Sequence, residues 1–283
     1  VPKLPLQPAK IIATWQEAAG RAETILSLVL AGEPRLVAEA QHQLGGGAVV
    51  PGVWAGEVTD LLRAGLSPSE MALIFVGPEA EFRVVETLGY APAGVRVILA
   101  VDEGEQATGR TTRPLSNCLR VSFSDTPGGW RRLFAACVEL AEEEAVALGR
   151  RYPVLRRPAA RRVIWRTARE NGLIGAAFFV PGSDWPPMTL NQVRMVLDLA
   201  ALFGHPVDLE RALEVLGVIA LSLGFRRLGQ KAATGRRDLK WMAKGLTGSV
   251  ATVALGLAAI KYYEHGAPLS TSRVVAGLGS LRG

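Results

Sequence analysis

Histidines and cysteines are the residues in this chain most able to do chemistry, and their spacing works against it. His42, His205 and His265 have no partner at metal-ligand spacing, and Cys118 and Cys137 form no CxxC pair. His42 falls on an amphipathic helix face, His205 follows a helix-ending Gly204, and His265 precedes Gly266, so each reads as a surface or helix-terminal residue. The two cysteines read as reduced and buried, as in a cytoplasmic protein. Neither a GxSxG elbow nor an HExxH pair occurs. Glu142–Glu144 reads as a solvated helix face and Asp184 as a cap for the segment after it. The sequence therefore names no catalytic residue, no metal site and no cofactor.

Nucleotide chemistry gets the same answer. A phosphate loop needs glycines that aim backbone N–H groups at the phosphates, a lysine for their charge and a hydroxyl for magnesium. After its first apolar run the chain reads AGEPRLVAEA, with Gly32 alone and no GK[ST]. Pro34 could open a helix whose N-terminus attracts an anion, but Glu33 stands where that anion would sit. Asp102-Glu103-Gly104 occupies the place of a base-reading NKxD motif. Asp125-Thr126-Pro127-Gly128 spells a DxxG box, but after the third strand rather than between the first two, so it reads as a turn started by Asp and Pro.

The elements that would position such residues come in two kinds. Ile25–Ala31, Ala72–Val76, Val95–Val101 and Cys118–Phe123 are apolar runs suited to buried strands, with helical patterns from Pro34 to Gly45–Gly47, over Pro78–Leu88 and over Trp130–Leu148. Their regular alternation implies right-handed βαβ units and an open, mostly parallel sheet. The second half is helical. Arg150–Asn171 holds eight arginines and is interrupted by Pro153 and Pro158. Gly172–Val180 and the PGSDWPP turn follow, and Thr189 with Gln192 makes a capping box for Leu190–Phe203. Asp208 caps an apolar helix to about Phe225, a basic connector spans Arg226–Lys244, and Leu246–Ile260 is the last apolar run. Gly248, Thr252 and Gly256 at four-residue steps suit close helix approach.

At 283 residues the chain can bury two cores. Its net charge of +6 is unevenly spread: residues 1–148 carry 12 Lys/Arg and 18 Asp/Glu, residues 149–283 carry 20 and 8. The reading is a flexible, proline-rich tail without a signal peptide over 1–20, an acidic α/β domain over 21–149, and a basic all-α helical domain over 150–283.

Two resemblances rest on these residues. The strand and helix series, with VSFSDTPGGWRRLFAAC, resembles a Ras-type GTPase domain, here in a P-loop-less form. The stretch WRTARENGLIGAAFFVPGSDWPPMTLNQVRMVLDLAALFG, with KYYEHG further on, resembles a bacterial GTPase-associated domain family of unknown function that includes the YcjF-type inner-membrane proteins. That second resemblance implies a membrane setting and a separate GTPase as partner.

For the basic half three readings stand in order. The first is attachment to an anionic membrane surface at the inner face of the cell membrane, since basic residues flank every apolar run, each of which is shorter than the roughly 20 residues of a spanning helix. A soluble helical bundle comes second. Nucleic acid comes last, because Trp165, Trp185 and Trp241 lack the spacing of a stacking platform. The expected contact residues are Arg161, Arg162, Arg166 and Arg169, and the polar face Asn191, Gln192, Arg194 and Asp198, of which Asn191, Arg194 and Asp198 form one stripe at i, i+3 and i+7 and for which mutual pairing of Arg194 and Asp198 is the competing expectation. The role expected is that of a non-enzymatic accessory or scaffold protein; the alternative is a soluble nucleotide-binding or GTPase-related protein with an atypical site.

Overall fold

Apolar runs bounded by glycine and proline become the strands of one sheet in the computed structural model, which describes residues 8–45, 54–56, 58, 61, 70–89, 95–177, 185–205 and 240–265. The chain divides into two units, Glu23–Ala159 and the pair of segments Val1–Ala22 and Ala160–Gly283. In sequence the first is thus an insertion into the second.

The inserted unit contains β1 (Ser27–Gly32), α2 (Pro34–Gly45), β2 (Trp54–Gly56), β3 (Glu70–Val76), α3 (Pro78–Leu88), β4 (Arg96–Asp102), β5 (Thr111–Leu115), β6 (Cys118–Phe123), α4 (Pro127–Ala141) and α5 (Ala145–Arg151). The strand order is β2-β1-β3-β4-β6-β5. All pairings are parallel except β5 with β6, so a mostly parallel sheet with helices is established. Along the parallel strands alone the order is the flavodoxin-like one, whose reversal lies between β1 and β3.

Burial explains why these runs read as continuous rather than alternating. On one face of the sheet Val29, Ala31, Ala72, Ile74, Val97 and Leu99 pack with Val84 and Leu88 of α3. The alternate residues Leu28, Leu30, Leu73, Phe75, Ile98 and Phe123 are equally buried. On that second face Phe75, Phe123, Trp130 and Phe134 form a ring cluster with centroid separations of 4.9–5.9 Å, which seats α4. Tyr152, fully buried, accepts the Leu28 N–H at 3.0 Å and ties the end of α5 to the start of β1.

Several expectations change. Residues 8–23, expected mostly within a tail, form α1 (Pro8–Glu23), with Ala18 buried. The boundary expected at 149/150 falls at 159/160. The helix expected over Trp130–Leu148 breaks at Glu142, where φ is 49°; at this break Arg96 of β4 donates to the Ala141 carbonyl and to Glu144. The antiparallel edge strand β5 was unforeseen; its residues are mostly exposed, so it has no apolar pattern to read.

In the other unit the described elements are all helices: α1, most of α6 (Arg156–Ala177), α7 (Trp185–Leu202) and α8 (Lys240–His265). Thr189 does not cap a helix here. It lies 2% exposed inside α7, which starts earlier because Pro186 and Pro187 suit a first turn that needs no N–H donors. Small residues bring α8 onto its neighbours: a Cβ on Gly256 would meet Ile164 Cγ1 at 2.5 Å, and one on Gly248 would meet Met188 Cε at 2.5 Å. The apolar helix expected from Asp208 lies outside the described residues, as does the connector expected over Arg226–Lys244 up to 239; its last residues, 240–244, belong to α8 instead.

Candidate functional site

The carboxyl ends of parallel strands are where a doubly wound sheet binds ligands. Here several of the protein's own groups at those ends bond to one another. Gly32 has a φ of 109°, and a Cβ there would lie 1.9 Å from the Phe75 carbonyl oxygen, so this glycine serves strand packing. The next amide, Glu33 N–H, donates to that same Phe75 oxygen at 3.1 Å, which removes it from any anion at the start of α2. Arg35 pairs with Asp125 at 2.6 Å, and Asp125 also accepts the Trp130 indole N–H at 2.8 Å. Thr126 accepts the Gly129 N–H at 3.1 Å, so the DTPG segment is the N-cap of α4.

The neighbouring DEG segment is likewise occupied. Asp102 accepts the Gly104 N–H at 3.1 Å in a local turn. Glu103 takes hydrogen bonds from the Ser122 hydroxyl and from Arg120, and these two donors hold its carboxyl below its ordinary value. Arg120 binds both oxygens of Glu81 as well, at 2.5 and 3.0 Å. A recess of about 420 Å³ opens between α2 and α4, lined by residues that include Glu39, Gln43, Asp125, Trp130 and Phe134. Of its polar groups, Gln43 donates to Glu39 at 2.7 Å and Asp125 is held by Arg35 and Trp130, while Arg131 is exposed. Burial pushes the Cys118 thiol up to about 11 and the Cys137 thiol up to about 12, so neither is a nucleophile at neutral pH. His42 is exposed on α2, and His205 meets the Tyr263 carbonyl at 3.1 Å beside the Tyr263 ring. The side chain of His265 lies outside the described residues.

In the helical unit the expected contact residues separate into two groups. Arg161 and Arg169 are exposed, Arg162 and Arg166 half-buried, all on α6. Part of the polar face of α7 turns inward instead, while Arg194 keeps 41% of its side chain exposed. Asp198 is 1% exposed and Gln192 7%, so neither can meet a partner at a surface; that expectation is corrected for both. Gln192 donates to Thr252 at 3.2 Å, as does fully buried Asn171 at 2.9 Å, while Asn191 donates to Asn171 at 3.1 Å. This cluster joins α6, α7 and α8 through their polar centres, where each donor finds an acceptor away from water.

Asp198 is bound by an unexpected residue. Arg21 of α1 donates to its Oδ1 at 2.7 and 3.2 Å, and Arg166 stands 4.0 Å from Oδ2. Arg194 turns to Glu17 of α1 at 3.7 Å rather than pairing with Asp198. Burial raises the Asp198 carboxyl above its ordinary value, and the arginines, Arg21 foremost, oppose that rise. Glu17 and Arg21 also form an i,i+4 pair at 3.9 Å, a helix signal within a segment whose proline-rich start reads as a tail.

Among the described residues no group of three or more His, Cys, Asp or Glu could hold a metal ion, and no helix is long and apolar enough to cross a membrane. In comparisons with known proteins, no family model matches the chain and no curated protein matches it.

Proposed function

We propose that this chain is a non-enzymatic accessory or scaffold protein that works at an anionic membrane surface. The observation that carries the reading is the exposure of Arg161 and Arg169 on α6, neither with an ion-pair partner among the described residues, in the half of the chain with 20 Lys/Arg against 8 Asp/Glu. Each such arginine contributes about 1 kcal/mol near an anionic leaflet. Several acting together give peripheral binding without a spanning helix.

The α/β unit is read as a scaffold, GTPase-like in its series of strands and helices but without a phosphate loop. Its strand order does not single out GTPases. The bonding of Glu33 N–H to the Phe75 carbonyl and of Arg35 to Asp125 supports the non-catalytic reading. A separate GTPase as partner, and kinship with the YcjF-type family, rest on the sequence resemblance alone.

Flotation of the full chain with vesicles tests the reading. Binding to vesicles of phosphatidylcholine with phosphatidylglycerol at low salt, lost at high salt, is the expected result. Failure to float under those conditions would remove it. Micromolar binding of labelled GTP with magnesium would replace it with the nucleotide-binding alternative.

A further inference from the structure

The exposed face of α6 carries more than charge. Trp165 is 59% exposed and Leu173 68% exposed, and they alternate with exposed Arg161 and Arg169 at four-residue steps. Four residues exceed one helical turn by about 40°, so the four side chains fan over an arc of about 120°. The opposite arc, with Ala160, Val163, Ile164, Thr167, Ala168 and Asn171, is buried. Glu170, the one acid on α6, is 51% exposed and reaches toward Arg166 at 4.0 Å.

We propose that α6 is the docking element, lying in the plane of an anionic bilayer with Trp165 and Leu173 at the level of the lipid headgroups and Arg161 and Arg169 on lipid phosphates. This deepens the membrane-surface reading and rests on it. An exposed tryptophan beside arginines suits that depth, because the indole has an apolar body and one N–H donor. Arginine stems lie along apolar surface while their guanidinium groups stay at the phosphates. A duplex nucleic acid would use the charges but leaves no place for Leu173, so the bilayer fits the whole face better. On α8 the exposed apolar residues Val250 (59%) and Leu257 (53%) lack such arginines; Lys261 and Glu264 follow them. With only two apolar side chains, docking through α6 is led by charge and sensitive to salt.

The test uses the full chain and phosphatidylcholine–phosphatidylglycerol vesicles whose acyl chains carry bromine, which quenches tryptophan fluorescence on contact. Wild type is quenched on binding; Trp165→Phe retains binding and loses that part of the quenching. The double variant Arg161→Ala/Arg169→Ala binds roughly ten- to thirtyfold more weakly at fixed salt, and Leu173→Ser weakens binding without changing its salt dependence. If the protein floats but the Trp165→Phe difference is absent, docking occurs elsewhere and this proposal falls while the membrane reading stands. If the wild type does not float, both fall. Binding to random duplex DNA that is stronger than to vesicles and lost in the double arginine variant also overturns it.

Discussion

Arg21 and Asp198 stand 177 positions apart in the chain and share two hydrogen bonds, of 2.7 and 3.2 Å. The pair joins α1 to α7, and it explains why a segment that precedes the α/β unit belongs with the helices that follow it.

The two partners are unequally buried, with side chains 15% exposed for Arg21 and 1% for Asp198. Arg21→Ala leaves a buried carboxylate with Arg166 as its nearest cation, whereas Asp198→Asn leaves an arginine that can turn to water. Arg21→Ala is therefore expected to cost about 3 kcal/mol and Asp198→Asn less, by urea unfolding with faster amide exchange in α1. The sign with pH follows from the raised carboxyl. A group raised in the folded state contributes stability that is present below its unfolded value, ordinarily 3.8, and is lost as pH rises through the folded value. Without Arg21 the folded value rises further, so the deficit of Arg21→Ala narrows on acidification; a deficit that widened instead would contradict this account.

Gly32 leaves no room for a side chain. Gly32→Ala places a methyl against the Phe75 carbonyl at a φ of 109°, and it is expected to destabilise the α/β unit by at least about 3 kcal/mol. Thermal unfolding measures it; a loss under about 1 kcal/mol would show that the Gly32 and Phe75 backbones are not held this close.

Close approach of α6 and α8 depends on Gly256 against Ile164. Gly256→Ala is expected to cost about 1–3 kcal/mol through overpacking, and Ile164→Ala about 2–4 kcal/mol through a cavity. In the double variant the added methyl enters the vacated space, so the combined loss is smaller than the two together. Additive losses would place the two residues out of contact.

Glu103 has the opposite pH sign to Asp198. Its carboxyl is held below the ordinary 4.5, first by the Ser122 hydroxyl and then by Arg120, so its contribution is present above that value and lost as pH falls through the folded one. Glu103→Gln is expected to lose about 1 kcal/mol or less at neutral pH and to show a flatter acid limb than wild type. A series of urea midpoints against pH checks both.

Much of the α/β unit was legible because each central strand is buried on both faces, so a local apolar run already carries the information. Cys118–Phe123 and Pro78–Leu88 have the same ends in sequence and structure. Pro34, Pro78 and Pro127 open helices where a missing N–H costs nothing. Local chemistry likewise identified the Gly248–Gly256 spacing as a close helix contact, whereas the DTPG segment, expected as a turn, is the capped start of α4.

Tertiary structure decided which polar residues face inward. Asn191, Gln192, Arg194 and Asp198 fall on one side of a helix, and periodicity marks that side as polar without telling whether water or Asn171, Thr252, Glu17 and Arg21 satisfies it. Those partners come from segments 20 to 177 positions away, beyond any local pattern. Strand order and the place of α1 are long-range pairings of the same kind. What the sequence determined by itself was the alternation of elements, the absence of a phosphate loop and the basic character of the second half. Which arginines stay at the surface with Trp165, and which are spent on buried carboxylates, depends on how the helices pack.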